Sequence, residues 1–218
     1  MSGNITRPDR TAATKEAILS AAEQLFAEHG VFAISNRQVS EAAGQGNNAA
    51  VGYHFGTKTD LVRAIVRKHT EPIEEHRMRL LADHPGSTEL RDLVSCLVRP
   101  VTEHYADLGS ASWYARFGAQ VMTDPTLRII MREESLSSPS LQSIVEGFDR
   151  CLSDLPPEVR QQRGEMARYL MVHGCAEFER TLADGRTGPR ANWYDYGTGL
   201  IDAIVGIWQA PVTGQHIR

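Results

Sequence analysis

Ser35-Asn36-Arg37-Gln38-Val39-Ser40-Glu41-Ala42-Ala43-Gly44-Gln45-Gly46-Asn47-Asn48-Ala49-Ala50-Val51-Gly52-Tyr53-His54-Phe55-Gly56 decides the fold of this chain. Ser35 and Gln38 stand at the spacing of a capping box, in which the serine oxygen takes the third amide and the glutamine side chain returns to the serine amide. Val39, Ala42 and Ala43 share one face, so a short helix is predicted to stop at Gly44. After the polar turn Gln45-Gly46-Asn47, Asn48 is a good cap for a second helix carrying Ala49, Ala50, Val51, Tyr53 and Phe55, which Gly56 breaks. The pair reads as a helix-turn-helix.

Helices also flank it. Behind Thr14, apolar residues recur at Ile18, Ala21, Ala22, Leu25 and Phe26, the stripe of an amphipathic helix ended by Gly30. Ahead of them, Arg7 and Arg10 read either as an arm reaching DNA or as a solvated tail. Downstream, Thr57-Lys58-Thr59-Asp60 is a second box-like cap, opening a long helix with Leu61, Ala64, Ile65, Ile73, Leu80 and Leu81. Pro72 lacks the amide that would bond the Lys68 carbonyl, so a kink or break is expected near His69. Five more helices follow: from Ser87, around Trp113, from Asp124, across Leu141 to Leu152, and from about 158 to 183. A last one lies beyond Arg190. The predicted class is all-α, with residues 1–70 as a helix-turn-helix domain and 71–218 as a larger helical domain.

Charge divides at the same place. Residues 1–70 hold eight Lys or Arg against six acids, whereas the rest of the 218-residue chain, whose net charge is −4, is acidic. A basic head can approach phosphate and an acidic body is repelled by it. Within the head, Arg37, Asn47, Asn48, Tyr53, His54 and Lys58 are donors suited to phosphate oxygens, and the helix starts at Ser35 and Thr57 add oriented amides. No run of 18 apolar residues occurs, and Met1-Ser2-Gly3-Asn4 is followed by no apolar stretch, which places the chain in the cytoplasm. Cys96, Cys151 and Cys175 are far apart and read as buried, reduced thiols.

Ala13-Thr14-Lys15-Glu16-Ala17-Ile18-Leu19, Leu25-Phe26-Ala27-Glu28-His29-Gly30, Ser40-Glu41-Ala42-Ala43-Gly44 and Tyr53-His54-Phe55-Gly56-Thr57-Lys58 together resemble the DNA-binding head of the tetracycline-repressor (TetR) family. The resemblance covers roughly residues 10 to 70. It implies a homodimeric, all-helical transcriptional regulator, usually a repressor released by a small molecule. It also implies that Tyr53, His54 and Lys58 contact the DNA backbone, and that Gln45, Gly46, Asn47, Asn48 and Ala49 face base edges. The chain departs from the family in two places. Ten residues separate Gly44 from Phe55 where nine are usual, and Gly52 lies inside the recognition helix at a cost of about 1 kcal/mol relative to alanine. Asn can bond adenine bidentately in the major groove. Either Asn47 or Asn48 therefore reads a base while the other caps the helix.

The body carries no catalytic motif, neither a His-Glu-x-x-His, a Gly-x-Ser-x-Gly nor a Walker sequence, so no enzyme, cofactor or metal is expected. His173-Gly174-Cys175 diverges around a helix and makes a poor ligand pair. An effector pocket is expected from Trp113, Tyr114, Phe117, Met122, Phe148, Met171, Cys175 and Phe178, with Arg116, Tyr169 and His173 as its polar groups, and an apolar or aromatic ligand is preferred. The last two helices are apolar on two faces. Met166, Leu170, Trp193, Tyr196, Gly197, Leu200, Ile201, Ile204 and Trp208 are expected to form a two-fold four-helix interface. The leading reading is a repressor whose ligand tilts the long fourth helix and so moves two recognition helices off successive major grooves. The alternatives are a DNA-binding regulator answering to a protein partner, and an enzyme on a helical scaffold.

Overall fold

The computed structural model describes residues 7–83, 86–186 and 191–213. Among the described residues there are ten α-helices and no strand. They are α1 (Arg7–His29), α2 (Asn36–Ala42), α3 (Ala50–Phe55), α4 (Lys58–Asp83), α5 (Leu90–Leu108), α6 (Tyr114–Thr123), α7 (Leu127–Leu136), α8 (Pro139–Cys151), α9 (Pro157–Ala183) and α10 (Trp193–Gln209). Two of these differ from expectation. α1 starts at Arg7, well before Thr14, so Arg7 and Arg10 lie in a helix and not in an arm. α4 runs through Pro72 without a break, because proline removes only one bond of the ladder and the rest of the helix holds.

The helices fall into two compact units. The first comprises the described part of Met1–Thr70 with Trp113–Ser135, and the second comprises Glu71–Ser112 with the described residues from Leu136 onward. The first unit thus takes in α6 and most of α7 beside the helices up to Thr70. The reason is packing. Ile18, Ala22 and Phe26 of α1 are fully buried together with Phe117 and Val121 of α6, and the rings of Phe26 and Phe117 stack with centroids 6.5 Å apart. Each such ring removed from water is worth roughly 1.5–3 kcal/mol. α7 is fastened electrostatically: Glu134, 9% exposed, accepts from Arg63 and Arg67 of α4 at 2.8 Å each. Beneath them His69 faces Glu23 at 2.7 Å and stacks on Tyr114 at 3.7 Å. Burial and the nearby Glu23 hold the Tyr114 phenol far above its ordinary pKa.

In the second unit α5 packs against α10 and α8. Glycines set the spacing at both contacts. A Cβ on Gly147 of α8 would lie 2.5 Å from Leu93 Cδ2, and one on Gly197 of α10 would lie 2.7 Å from Thr102 Oγ1. Glu74 of α4 joins the start of α8: it accepts from the hydroxyls of Ser138 and Ser140, from the Ser140 amide at 3.1 Å and from Arg77 at 3.2 Å. Burial raises its pKa, but those donors outweigh burial and hold it below the usual carboxylate range.

Candidate nucleic-acid interface

Local chemistry shapes this site first. Ser35 Oγ accepts from the Gln38 amide at 3.2 Å, while Gln38 Oε1 accepts from the Ser35 amide at 2.9 Å, so the capping box at the start of α2 is complete. α2 then ends in a Schellman motif. With Gly44 at φ +66, the Gly44 amide reaches the Glu41 carbonyl at 3.0 Å and the Gln45 amide reaches the Ser40 carbonyl at 2.9 Å. The Gln45 side chain donates to the Ala43 carbonyl at 3.0 Å and is half-buried. Gln45 is thereby drawn into closing α2, and does not stand out toward base edges as the family pattern implies.

Asn47 Oδ1 accepts from the Ala49 amide at 2.9 Å. Asn48 was expected to cap the second helix, yet the cap residue of α3 is Ala49 and its side chain makes no capping bond. α3 therefore begins at Ala50, later than the sequence pattern anticipates. Asn48 is exposed, and its carbonyl accepts from the buried Ser40 hydroxyl at 3.4 Å. Ala50 and Val51 turn inward, at 5% and 0% exposure, which leaves Gly46, Asn47, Asn48, Ala49, Gly52 and Tyr53 exposed. Tyr53 is 83% exposed, with its ring edge-on to His54 at 4.9 Å. Around Gly52 nothing comes within 4 Å of a Cβ position, so no group of the protein requires glycine there.

At the mouth of α4, Thr57 and Asp60 form a reciprocal cap. The Asp60 carboxylate accepts from the Thr57 amide at 3.0 Å and hydroxyl at 2.6 Å, and Thr57 Oγ1 accepts from the Asp60 amide at 3.1 Å. Those donors hold the Asp60 carboxyl below its usual range. Arg37 pairs with Glu41 one turn on at 2.7 Å. Both side chains are more than half exposed, so the pair is weak and Arg37 can exchange Glu41 for another anion at little cost. Lys58 is the exception to the family pattern. Its ammonium donates to the carbonyls of Val31, at 3.1 Å, and Ile34, and burial lowers its pKa.

The arrangement offers a short helix with an exposed tyrosine, an amide-rich turn ahead of it, and two capped helix starts beside it. Residues 18–65 match the family model described as bacterial regulatory proteins, tetR family. Residues 18–65 thus form a domain of the tetR family. It is 37% identical over 76 residues to the HTH-type transcriptional repressor BepR of Brucella suis biovar 1, covering 34% of this chain and 36% of that protein. With the HTH-type transcriptional repressor AcnR of Corynebacterium glutamicum it shares 31% identity over 125 residues, 57% of this chain and 60% of the other. The chain therefore spans between about a third and three fifths of the length of these curated relatives. A solved structure of NalD from Pseudomonas aeruginosa is 25% identical with a TM-score of 0.51, covering 88% of this chain and 95% of that one.

The remaining residues singled out in the sequence are placed differently from expectation. Trp113, Tyr114, Arg116, Phe117 and Met122 belong to the first unit, where Tyr114 and Phe117 are core at 4% and 0% exposure and Arg116 lies over the Trp113 ring at 3.8 Å. Phe148, Tyr169, Met171, His173, Cys175 and Phe178 belong to the second. There Phe148 stacks on Trp208 at 5.7 Å and Phe178 on Tyr196 at 4.2 Å, while Tyr169 and His173 are exposed. A cavity of about 90 Å³ in the second unit is lined by Leu81, Ser87, Asp92, Leu93, Cys96, Ser143 and Arg150 with Gly86, and by none of the expected residues. Tyr114 and Phe117 thus fill the core of the first unit, while Phe148 and Phe178 pack on rings of α10.

The expected interface residues divide as well. Trp193, Gly197, Leu200, Ile201 and Ile204 are buried within the chain itself and pack toward α5, which removes them from the outer surface. Tyr196, Leu170 and Trp208 are half-buried and Met166 is 48% exposed. Opposite the buried face of α10 lies a row of small exposed residues, Gly199, Ala203, Gly206 and Ala210. All three cysteines have raised pKa values from burial, Cys175 to about 12, with neighbouring acids adding to the effect.

Proposed function

We propose that this chain is a homodimeric transcriptional repressor that occupies a palindromic operator through α2 and α3 and leaves it when a small molecule enters its second unit. The observation that carries the reading is the exposed face from Gly46 to Tyr53, supported from behind by Ala50 and Val51 and flanked by two complete capping boxes. A rod presented in this way fits a major groove, with Arg37, Tyr53, His54 and Thr57 beside the phosphates and Asn48 toward base edges. Both curated relatives are named as repressors, and NalD is described as the secondary repressor of the MexAB-OprM multidrug efflux pump. No helix among the described residues is long and apolar enough to cross a membrane, in keeping with work on DNA in the cytoplasm.

Dimerisation is assigned to α9 and the outer face of α10, where small residues allow close approach of a second copy. The effector is assigned to the cavity beside α4, α5 and α8, whose lining is apolar at Leu81 and Leu93 and polar at Ser87, Ser143 and Arg150. The test is selection of duplexes from a random pool, followed by titration of the selected site at several salt concentrations. The reading expects a palindromic consensus, two chains per duplex and a steep loss of affinity with salt. A chain that enriches no sequence and ignores DNA at low ionic strength contradicts it. Linkage adds a second condition: a ligand that releases DNA must bind more weakly to the DNA complex, by the same factor.

A further inference from the structure

The Lys58 ammonium lies where two turns of the head meet, and its bonds are not those of a phosphate ligand. We infer that Lys58 is a positioning residue, clamping the turn from Val31 to Ile34 onto the start of α4 and so fixing how α2 and α3 are presented, with no phosphate contact of its own. This rests on the DNA-binding reading above and assigns one of its parts.

The geometry supports it in three ways. First, Nζ already donates to two main-chain carbonyls, those of Val31 and Ile34. Both belong to the turn that follows α1, where the negative end of the helix dipole favours a cation. Reaching outward to a phosphate would strip both carbonyls of this donor. Second, the turn has little else to hold its middle. Val31 and Ile34 are anchored at 3% and 5% exposure, but Phe32 between them is 65% exposed. Ile34 directly precedes Ser35, the cap of α2, so the place of the Ile34 carbonyl determines where α2 begins. Third, the clamp closes a ring. From Val31 the chain runs through α2 and α3, turns at Gly56 with φ +80, and enters α4 at Lys58, which reaches back across 27 residues to its origin. Opening that ring removes this polar tie between the two ends of the helix-turn-helix.

The experiment compares Lys58→Met, which keeps the stem and removes the ammonium, with Lys58→Arg, whose guanidinium can donate to both carbonyls. Binding to the selected duplex is titrated across salt concentrations well below the melting temperature. Arg37→Met serves as a phosphate-contact reference and Val39→Ala as a reference for plain destabilisation of the head. Lys58→Met is expected to lose tenfold or more in affinity with the slope of log K against log salt unchanged, while Arg37→Met flattens that slope by about 0.9. Lys58→Arg is expected to recover most of the loss. A slope flattened by about 0.9 in Lys58→Met overturns the inference in favour of a direct contact. An affinity loss no larger than that of Val39→Ala overturns it in favour of mere stability. A DNA-free arm measures amide exchange from Ile34 to Gln38, which the clamp predicts to quicken in Lys58→Met; unchanged exchange overturns the clamp even where the wild-type chain binds no duplex. If Lys58→Met does not fold, Lys58→Gln takes its place in every comparison.

Discussion

Asn47 accepts from the Ala49 amide and Asn48 does not cap at all, so two neighbouring residues of identical chemistry divide the labour of this turn. Asn48→Ala is accordingly expected to cost about 1–3 kcal/mol at one operator base pair and to relax the preference there. Asn47→Ala should instead lower thermal stability by about 0.5–2 kcal/mol and weaken every sequence alike. Fluorescence titrations over operator variants, paired with melting curves, separate the two; uniform loss in Asn48→Ala sinks its role in reading bases. At this scale the sequence was most readable where partners are three residues apart. Ser35 with Gln38 and Thr57 with Asp60 could be paired on paper because both ends of each bond lie in the same turn. Lys58 could not, since its acceptors are main-chain carbonyls far back in the chain, and no spacing rule reports them.

Among the helices, α8 depends on a carboxylate from elsewhere. Glu74 gathers both serine hydroxyls and an amide at the start of α8, and its pKa is below that of a free glutamate. A folded-state pKa below the unfolded one means stability that is present above the unfolded value and is lost as pH falls through the folded one. Thermal melts followed downward from neutral pH should therefore weaken in the acid range, and Glu74→Gln should show less of this decline while starting from a lower stability at pH 7. Equal pH profiles for the two proteins would deny Glu74 the role. The Ser138-Pro139 start of α8 is plain in the sequence, because proline suits the first turn after a serine cap. Its partner on α4 is not, for Glu74 sits in a run of charges that looks solvated.

At the scale of the molecule, periodicity located every helix among the described residues but not what each one faces. α10 has a broad apolar surface, and the sequence offers no way to tell a face buried by α5 of the same chain from one buried by a second copy. Accessibility marks the first of these: Ile201 and Ile204 are at 2% and 0%, whereas Ala203 is exposed, on the face proposed for a second copy. Ala203→Arg is expected to turn a dimer into a monomer in sedimentation measurements without unfolding it, and a dimer that persists would move the interface elsewhere. The same ambiguity explains the pocket residues, since Tyr114 and Phe117 carry the spacing of a lining and the burial of a core. Membership of α6 in the head was likewise invisible, being decided by Phe26 and Phe117 across a long stretch of chain.

The native thiols bear on how this molecule can be observed. Each of the three holds its proton more tightly than free cysteine does, and the thiolate is the reactive form. A maleimide dye at neutral pH should therefore react far sooner with a cysteine engineered at Tyr53 than with Cys96, Cys151 or Cys175. A fluorophore could then be placed on α3 in the otherwise unaltered chain, so that any approach of this helix to a duplex is followed in real time.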